Sequence, residues 1–266
     1  MATNTAVHAS EYPTSSASAV AKNLHFATTA LGGRFPANII AQMMECNMGP
    51  ILGGGGANGL YTTGDWTQVN GGTGDAAATA TATPGGGIIV THPSDDDFNM
   101  CFDYPAPIPA ANMVTGLWCF MLARIQVSHA TQVGFRIGLT TGSAVQPIPF
   151  TTDYTDQITF SKAIASANVL GKVRGNSGTA RDTATLATCV ANTELELGFW
   201  CQLSSGTSSG SWWVDGTETA FSADQLTALT DILTSPPAMF WGWNGTGTTG
   251  NTPTMTVTSL IAGCSA

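Results

Sequence analysis

Charged side chains are scarce in this 266-residue chain, and positive charge is scarcest of all. Charged residues make up 9% of the sequence, where about 25% is usual. Eight Lys and Arg stand against 17 Asp and Glu, and residues 35–123 and 182–266 contain no basic residue. Nucleic acids and anionic membranes are both bound through clustered positive charge. The composition therefore argues against both as partners.

Long apolar runs and targeting signals are also lacking. The longest apolar run, Gly116–Ala123, has about eight residues, whereas a membrane-spanning helix needs about 20. The N-terminal residues have neither the basic nor the apolar region of a signal peptide, so we expect the chain to fold in a cytoplasm.

Motifs for metals and cofactors are missing as well. The six cysteines are widely spaced without a Cys-x-x-Cys pair, which predicts buried, reduced thiols. No phosphate-binding loop occurs. A group of acids and one amide offers oxygen ligands for calcium, but it lacks the order of an EF-hand, and a solvated turn is the alternative: Asp95, Asp96, Asp97, Asn99 and Asp103. We expect no metal and no cofactor.

The N-terminal part does not have the pattern of a compact domain. We predict an extended arm and attachment region over residues 1–110, with a short helix at 36–46. Pro36 suits the first turn of a helix, Gly49 and Pro50 end it, and one face carries four apolar residues as a candidate capsid contact: Ile39, Ile40, Met43 and Met44. Residues 70–87 alternate Thr and Ala between glycines, which fits a poor strand, a linker or an extended arm.

Residues 111–266 have the pattern of an all-β domain. Apolar alternation marks strands near 114–127, 133–139, 158–160, 168–174, 186–190, 194–203, 211–214, 217–221, 239–243 and 254–261. Ser128–Thr131 is interpreted as a hairpin, and Asp215-Gly216 as a tight turn. Ser222 and Gln225 form a capping box for one short helix. Closely spaced strands with glycine-rich turns predict an antiparallel β-sandwich.

The same residues resemble the concanavalin A-like (lectin/laminin-G type) jelly rolls of tailed-bacteriophage virion proteins. The resemblance rests on Gly134–Leu139, on the strand Glu194–Leu203, on the Trp213-Val214-Asp215-Gly216 turn and on the last strand, Thr254–Ile261. It covers about 60% of the chain, and its motifs are generic to the architecture. It implies a structural virion role, such as a capsid decoration (cement) protein.

Five tryptophans are candidates for contact with a glycan or with another subunit. The alternation of strand residues turns Trp200 away from the row of Leu195, Leu197 and Phe199. It places one of Trp212 and Trp213 outward and puts Trp241 and Trp243 on the same face. Burial in the core is the alternative for all five: Trp200, Trp212, Trp213, Trp241 and Trp243.

Catalysis is the third reading of this region. Glu194 and Glu196 share one face of a strand, as the paired carboxylates of sandwich glycosidases do. The third acid of that pattern is replaced by Gly198 and Phe199, and adjacent glutamates on a solvated sheet usually do no chemistry.

The resulting expectation is a non-enzymatic structural protein on the virion head, assembled in a bacterial cytoplasm. Its expected partners are the major capsid protein and other copies of itself, without nucleic acid or membrane. The alternatives are a glycan-binding module that holds a host glycan and, second, a glycoside hydrolase on the same fold.

Overall fold

The protein is described by a computed structural model that covers these parts of the chain: 44–45, 60–63, 66–71, 79–82, 88–91, 98–105, 117–140, 156–175, 178–203, 208–230, 238–245 and 252–264. Within them the fold is almost entirely antiparallel β-structure with one short helix, as the sequence pattern predicts.

The first sheet, sheet I, contains eight strands among the described residues. In spatial order they are β14 (Thr217–Ala220), β13 (Ser209–Val214), β12 (Glu194–Leu203), β7 (Leu117–Val127), β16 (Thr254–Cys264), β5 (Ile88–Thr91) and β4 (Thr79–Ala82), with β1 (Met44–Glu45) beside β16.

The second sheet, sheet II, also contains eight strands among the described residues. In spatial order they are β11 (Arg181–Thr188), β10 (Asn168–Arg174), β9 (Gln157–Lys162), β8 (Val133–Thr140), β15 (Ala238–Gly245), β6 (Phe98–Pro105), β3 (Trp66–Gly71) and β2 (Leu60–Thr63).

The two sheets enclose one hydrophobic core. Alternation along β12 buries Leu195, Leu197 and Phe199 on the inner face, and β8 contributes Phe135 and Ile137 from the opposite sheet. The face of each sheet turned away from this core is called its outer face below.

Trp212 joins the two sheets at the centre of the core. Its indole is fully buried and lies edge-on to Phe160 of sheet II, with ring centroids 4.9 Å apart. It also packs against Phe199 and Phe221, at 5.8 and 4.6 Å. Gly171 is required beneath it, because a Cβ there would lie 2.4 Å from the indole.

The predicted helix after Phe221 is present as α1 (Ala223–Thr230). The capping box forms as expected: the Gln225 N–H donates to the Ser222 hydroxyl, and the Ser222 N–H donates to the Gln225 side-chain oxygen, both at 3.2 Å. The helix packs against β10 and β11. Residues 231–237, which follow the helix, lie outside the described residues.

The predicted arm is wrong for the strands between residues 60 and 105. β6 pairs with β15 along its length, and β5 pairs with β16 and β4, so this part of the chain completes both sheets. The sandwich therefore does not begin at residue 111. The pairings are made by backbone groups of distant strands, which the weak side-chain pattern of these residues does not reveal.

The predicted helix at 36–46 is wrong at its end, where Met44 and Glu45 form β1. Met44 lies opposite Ala262 and Glu45 opposite Ile261, so pairing with β16 overrides the local helical spacing. Ile39, Ile40 and Met43 lie outside the described residues.

The hairpin predicted at Ser128–Thr131 is also wrong. β7 belongs to sheet I and β8 to sheet II, so the segment crosses between the sheets. Ser128 fixes this crossing because its N–H donates to the Thr254 carbonyl at 2.9 Å and its hydroxyl accepts the Thr254 N–H at 2.7 Å.

Candidate functional site

An ion pair marks the outer face of sheet I. Glu196 on β12 lies opposite Arg124 on β7, and both the Nε and the Nη2 of Arg124 lie 2.9 Å from the same Glu196 oxygen. The side chains are 15% and 26% exposed for Glu196 and Arg124, so the pair is shielded but reachable. Sequence reasoning selected Glu196 and missed Arg124, because their adjacency depends on the strand register.

The Asp215-Gly216 turn fixes the other side of Glu196. Both residues have positive φ, 45° and 82°, which defines the predicted tight hairpin turn between β13 and β14. The Asp215 carboxylate accepts the Glu196 N–H at 2.8 Å, and the Asp215 N–H donates to the Glu196 carbonyl at 3.0 Å. Burial raises the pKa of Glu196 above its ordinary value, although the bond from Arg124 opposes the shift.

Trp213 is the partly exposed tryptophan of this face. It lies opposite Gly198 on β12 and opposite the exposed Glu218 on β14. A Cβ at Gly198 would sit 3.7 Å from the Trp213 Cβ and 3.2 Å from the Leu122 Cδ1, so the Leu122 side chain borders the space beside Trp213 on the β12 side. An indole beside a carboxylate, here that of Glu218, is an arrangement that can stack on a sugar ring and accept hydrogen bonds from its hydroxyls.

The other four candidate tryptophans differ in where they lie and in how much of them the structure describes. Trp212 is a core residue, so contact with a glycan or subunit is wrong for it. Trp200 lies on the outer face as predicted, but it is only 8% exposed, and its Nε1 donates to Glu218 at 3.4 Å. For Trp241 and Trp243 the structure describes only the backbone pairing, which places them opposite Ile137 and Phe135 of β8.

Glu194 and Glu196 lie on one face, yet they have separate partners. Glu194 is exposed and accepts a hydrogen bond from the Thr258 hydroxyl at 3.1 Å, whereas Glu196 is held by Arg124. Asp215 supplies a third carboxylate nearby, although it belongs to a turn rather than to the downstream strand position that sandwich glycosidases use.

The remaining sequence candidates do not assemble into a site. Asp95, Asp96 and Asp97 lie outside the described residues, while Asn99 and Asp103 are backbone positions of β6. No group of three or more His, Cys, Asp or Glu side chains in the described part of the chain is arranged to hold a metal ion. In that same part, no helix is long and apolar enough to cross a membrane.

The buried thiols are confirmed for Cys189 and Cys201, which are reduced in the structure. Sequence reasoning missed the buried Lys162, which ends β9 on the core side opposite Phe135. Its ammonium donates to the Val133 carbonyl and, at 3.4 Å, to the Ala163 carbonyl. Burial lowers the pKa of Lys162 from 10.5 to about 8, and burial raises the pKa of Cys189 from 9.0 to about 11.

Comparison with known proteins identifies the architecture. No family model matches the chain, and no curated protein matches it. Among solved structures, the T. cruzi calreticulin globular domain is similar with a TM-score of 0.53 and 10% identity, over 76% of this chain and 85% of that one.

Two carbohydrate-active enzymes are similar to the same degree. An endo-1,3-beta-glucanase from Streptomyces sioyaensis has a TM-score of 0.51 and 15% identity, over 80% of this chain and 93% of the enzyme. The Crh5 transglycosylase has a TM-score of 0.50 and 13% identity, over 85% of each chain. At these identities the likeness concerns the fold alone, and the fold is an antiparallel, concanavalin A-like jelly-roll sandwich.

Proposed function

We propose that this protein is a non-catalytic carbohydrate-binding sandwich. Its binding site is the area around Trp213 on the outer face of sheet I. The observation that carries the proposal is the partly exposed Trp213, with Gly198 on one side and Glu218 on the other. Burial of the other described aromatics on this face leaves Trp213 as the stacking surface. Two of the similar structures are named for enzymes of glycan chemistry, which supports a carbohydrate as the ligand.

The charged side chains around Trp213 are suited to binding rather than to turnover. Arg124 occupies one oxygen of Glu196, and the Glu196 backbone is held by Asp215, so the carboxylate is fixed in place. A retaining glycosidase needs a nucleophile and an acid about 5–5.5 Å apart across the scissile bond. The raised pKa of Glu196 is the direction that a general acid requires, which makes hydrolysis the reaction to test against.

A glycan array probed with the full chain tests the proposal. Wild-type protein should bind a restricted set of glycans, and Trp213→Ala should weaken that binding by about 30-fold, the usual effect of truncating a central tryptophan. Trp213→Phe should keep part of the affinity. Val190→Ala is the matched control, because Val190 is an exposed apolar residue of the segment between β11 and β12.

Two results would contradict the proposal. Full binding by Trp213→Ala, with unchanged unfolding, would place the ligand elsewhere. Cleavage of a bound glycan by wild-type protein, abolished in Glu196→Gln, would make the protein a hydrolase.

A capsid decoration role is the second candidate, and the exposed edge strands favour it. All four residues of β14 are exposed at one edge of sheet I, and β11 is largely exposed at one edge of sheet II. Such edges can pair with another chain. The pairing of β5 and β6 within the sandwich does not fit the extended N-terminal attachment region that the sequence predicts.

Co-sedimentation with empty phage heads tests this second role. Binding that raises the melting temperature of the heads, and that is lost when proline replaces Glu218 at the edge strand, would support it. Absence of sedimentation with any head would overturn it.

A further inference from the structure

Positive charge is almost absent from sheet I. Its eight described strands contain one basic residue, Arg124, and residues 182–266, which supply β12, β13, β14 and β16, contain none. Two nitrogens of Arg124 lie 2.9 Å from the same Glu196 oxygen, so this guanidinium is engaged within the protein. The described strands of sheet I therefore offer no second Lys or Arg with which to hold an anionic ligand.

Acidic residues, by contrast, occupy three of the positions around Trp213. Glu218 is directly opposite it on β14, Asp215 follows it two residues along the chain, and Glu196 lies diagonally across on β12, two residues before Gly198. The Cβ atoms of directly opposite residues in antiparallel strands are about 4.5–5.5 Å apart, and those of diagonal neighbours about 7–8 Å. A ligand that stacks on the indole of Trp213 is therefore within reach of a carboxylate.

Glu218 is the carboxylate best placed to meet a ligand. It is exposed, and its Oε1 accepts a long hydrogen bond, 3.4 Å, from the Nε1 of Trp200. Trp200 belongs to β12, two strands away from β14, so this bond draws the carboxylate of Glu218 across β13, beside Trp213. An ionised carboxylate has about four acceptor positions, so it can keep a partner in the protein and still accept from a ligand.

Trp213 and Glu218 together favour a cationic group on the ligand over a neutral one. The face of an indole attracts an ammonium group that lies within about 6 Å of the ring centre. A carboxylate beside the indole accepts a charge-assisted hydrogen bond from the same ammonium group. An acidic sugar at this place would instead meet the carboxylates of Glu218, Asp215 and Glu196, with Arg124 already bound to the last of these.

We propose that the surface around Trp213 selects glycans that carry a protonated amine, of the glucosamine class, over neutral and acidic glycans. The sugar ring stacks on Trp213, and its ammonium group donates to the Glu218 carboxylate. Glu218 is then the residue that determines specificity. This inference rests on the function proposed above, because it names the class of sugar for the same site.

Isothermal titration of the full chain with three β-1,4-linked tetrasaccharides of different charge tests this selectivity. They are the glucosamine tetramer, cellotetraose, which has a hydroxyl in place of each amine, and the glucuronic acid tetramer. In mildly acidic buffer, where the amines are protonated, the wild type should bind the glucosamine tetramer about tenfold more tightly than cellotetraose, the effect of one charge-assisted hydrogen bond. It should bind the glucuronic acid tetramer more weakly than cellotetraose. High salt should reduce the preference for the amine, because it screens exposed charges.

Glu218→Gln is the decisive variant, because it keeps the shape of the side chain and removes its charge. It should lower the ratio of the affinities for the glucosamine tetramer and cellotetraose to about threefold or less, since an amide oxygen is the weaker partner of an ammonium group. Glu218 is exposed on an edge strand, so the variant should fold with a melting temperature close to that of the wild type. Asp224→Asn is the matched control: it makes the same change in net charge at an exposed residue of α1 and should keep the wild-type ratio.

Failure of this inference can be told apart from failure of the function proposed above. Equal affinity for the glucosamine tetramer and cellotetraose, no binding of the glucosamine tetramer at millimolar concentration, or an unchanged ratio in Glu218→Gln would each overturn the inference. If array binding to other glycans is still lost in Trp213→Ala, the carbohydrate site remains and only its specificity for amino sugars is wrong. Full binding of the glucosamine tetramer by Trp213→Ala would overturn both.

Discussion

Lys162 is the described side chain whose chemistry is most altered by its surroundings. It is 1% exposed at the end of β9, where its ammonium has two backbone carbonyls as partners and the Cys189 thiol as a neighbour. Hydrogen bonds to two carbonyls do not fully replace the hydration that the ammonium has in bulk water, so burial disfavours the charged form of Lys162. A lysine at a period-2 strand position was indistinguishable in sequence from one that points to solvent.

The free energy of unfolding should therefore respond to Lys162 in mildly alkaline solution. Its pKa is about 8 in the folded chain against 10.5, so the unfolded chain binds more protons between these values. Stability consequently rises with pH over that range. Cys189, with a pKa raised from 9.0 to about 11, acts in the opposite direction above pH 9.

The comparison with Lys162→Met isolates this effect. From pH 8 to 9 the wild type should gain about 1 kcal/mol relative to the variant in urea unfolding experiments. Parallel curves for the two proteins over this interval would show that Lys162 titrates normally and that its burial is incomplete in solution.

At the level of elements, the helix α1 has only eight residues, and the side chain of Gln225 anchors it to the rest of the protein. Gln225 is fully buried and makes four contacts with polar groups. Its oxygen accepts from the Trp212 indole N–H at 3.3 Å and from the Ser222 N–H at 3.2 Å. Its amide donates to the Gly171 and Arg181 carbonyls at 3.4 and 3.1 Å. The residue that caps the helix thus also joins it to both sheets.

Gln225→Leu should destabilise the protein by about 3 kcal/mol, because it leaves several buried polar groups without partners. Ser222→Ala removes only the cap and should cost about 1 kcal/mol. Chemical denaturation of both variants checks this order. Equal losses would mean that Gln225 acts only through the capping box.

At the level of the whole molecule, the N-terminal strands and the C-terminal strands form one structure. β6 lies between β15 and β3, and β5 lies between β16 and β4. The pairings of β6 with β15 and of β5 with β16 join residues that are more than 100 positions apart, so the sandwich is closed by long-range contacts.

Hydrogen exchange of the full chain should show this unity. The amides of β6 should be protected to the same extent as those of β15, because each strand supplies the other's hydrogen-bond partners. A chain reduced to residues 111–266 should not unfold cooperatively. Rapid exchange in β6 beside a protected β15 would restore the model of an independent arm.

The sequence by itself determined the elements whose structure depends on residues that are close together in the chain. β10 and β12 have their predicted bounds, since their apolar residues alternate over seven and ten residues. The Asp215-Gly216 turn and the Ser222–Gln225 box were predicted because turns and caps depend on neighbouring residues. These features were enough to predict an antiparallel β-sandwich, and the resemblance to concanavalin A-like proteins implied the jelly roll.

Only the tertiary structure decided which strands are neighbours and which faces are covered. Arg124 reaches Glu196 across 72 positions of sequence through a strand register that no local pattern encodes. Trp212 and Trp213 are adjacent in sequence, yet the opposite sheet covers one and leaves the other partly exposed. Burial depends on what packs above a residue, and in this sandwich the covering residues come from distant parts of the chain.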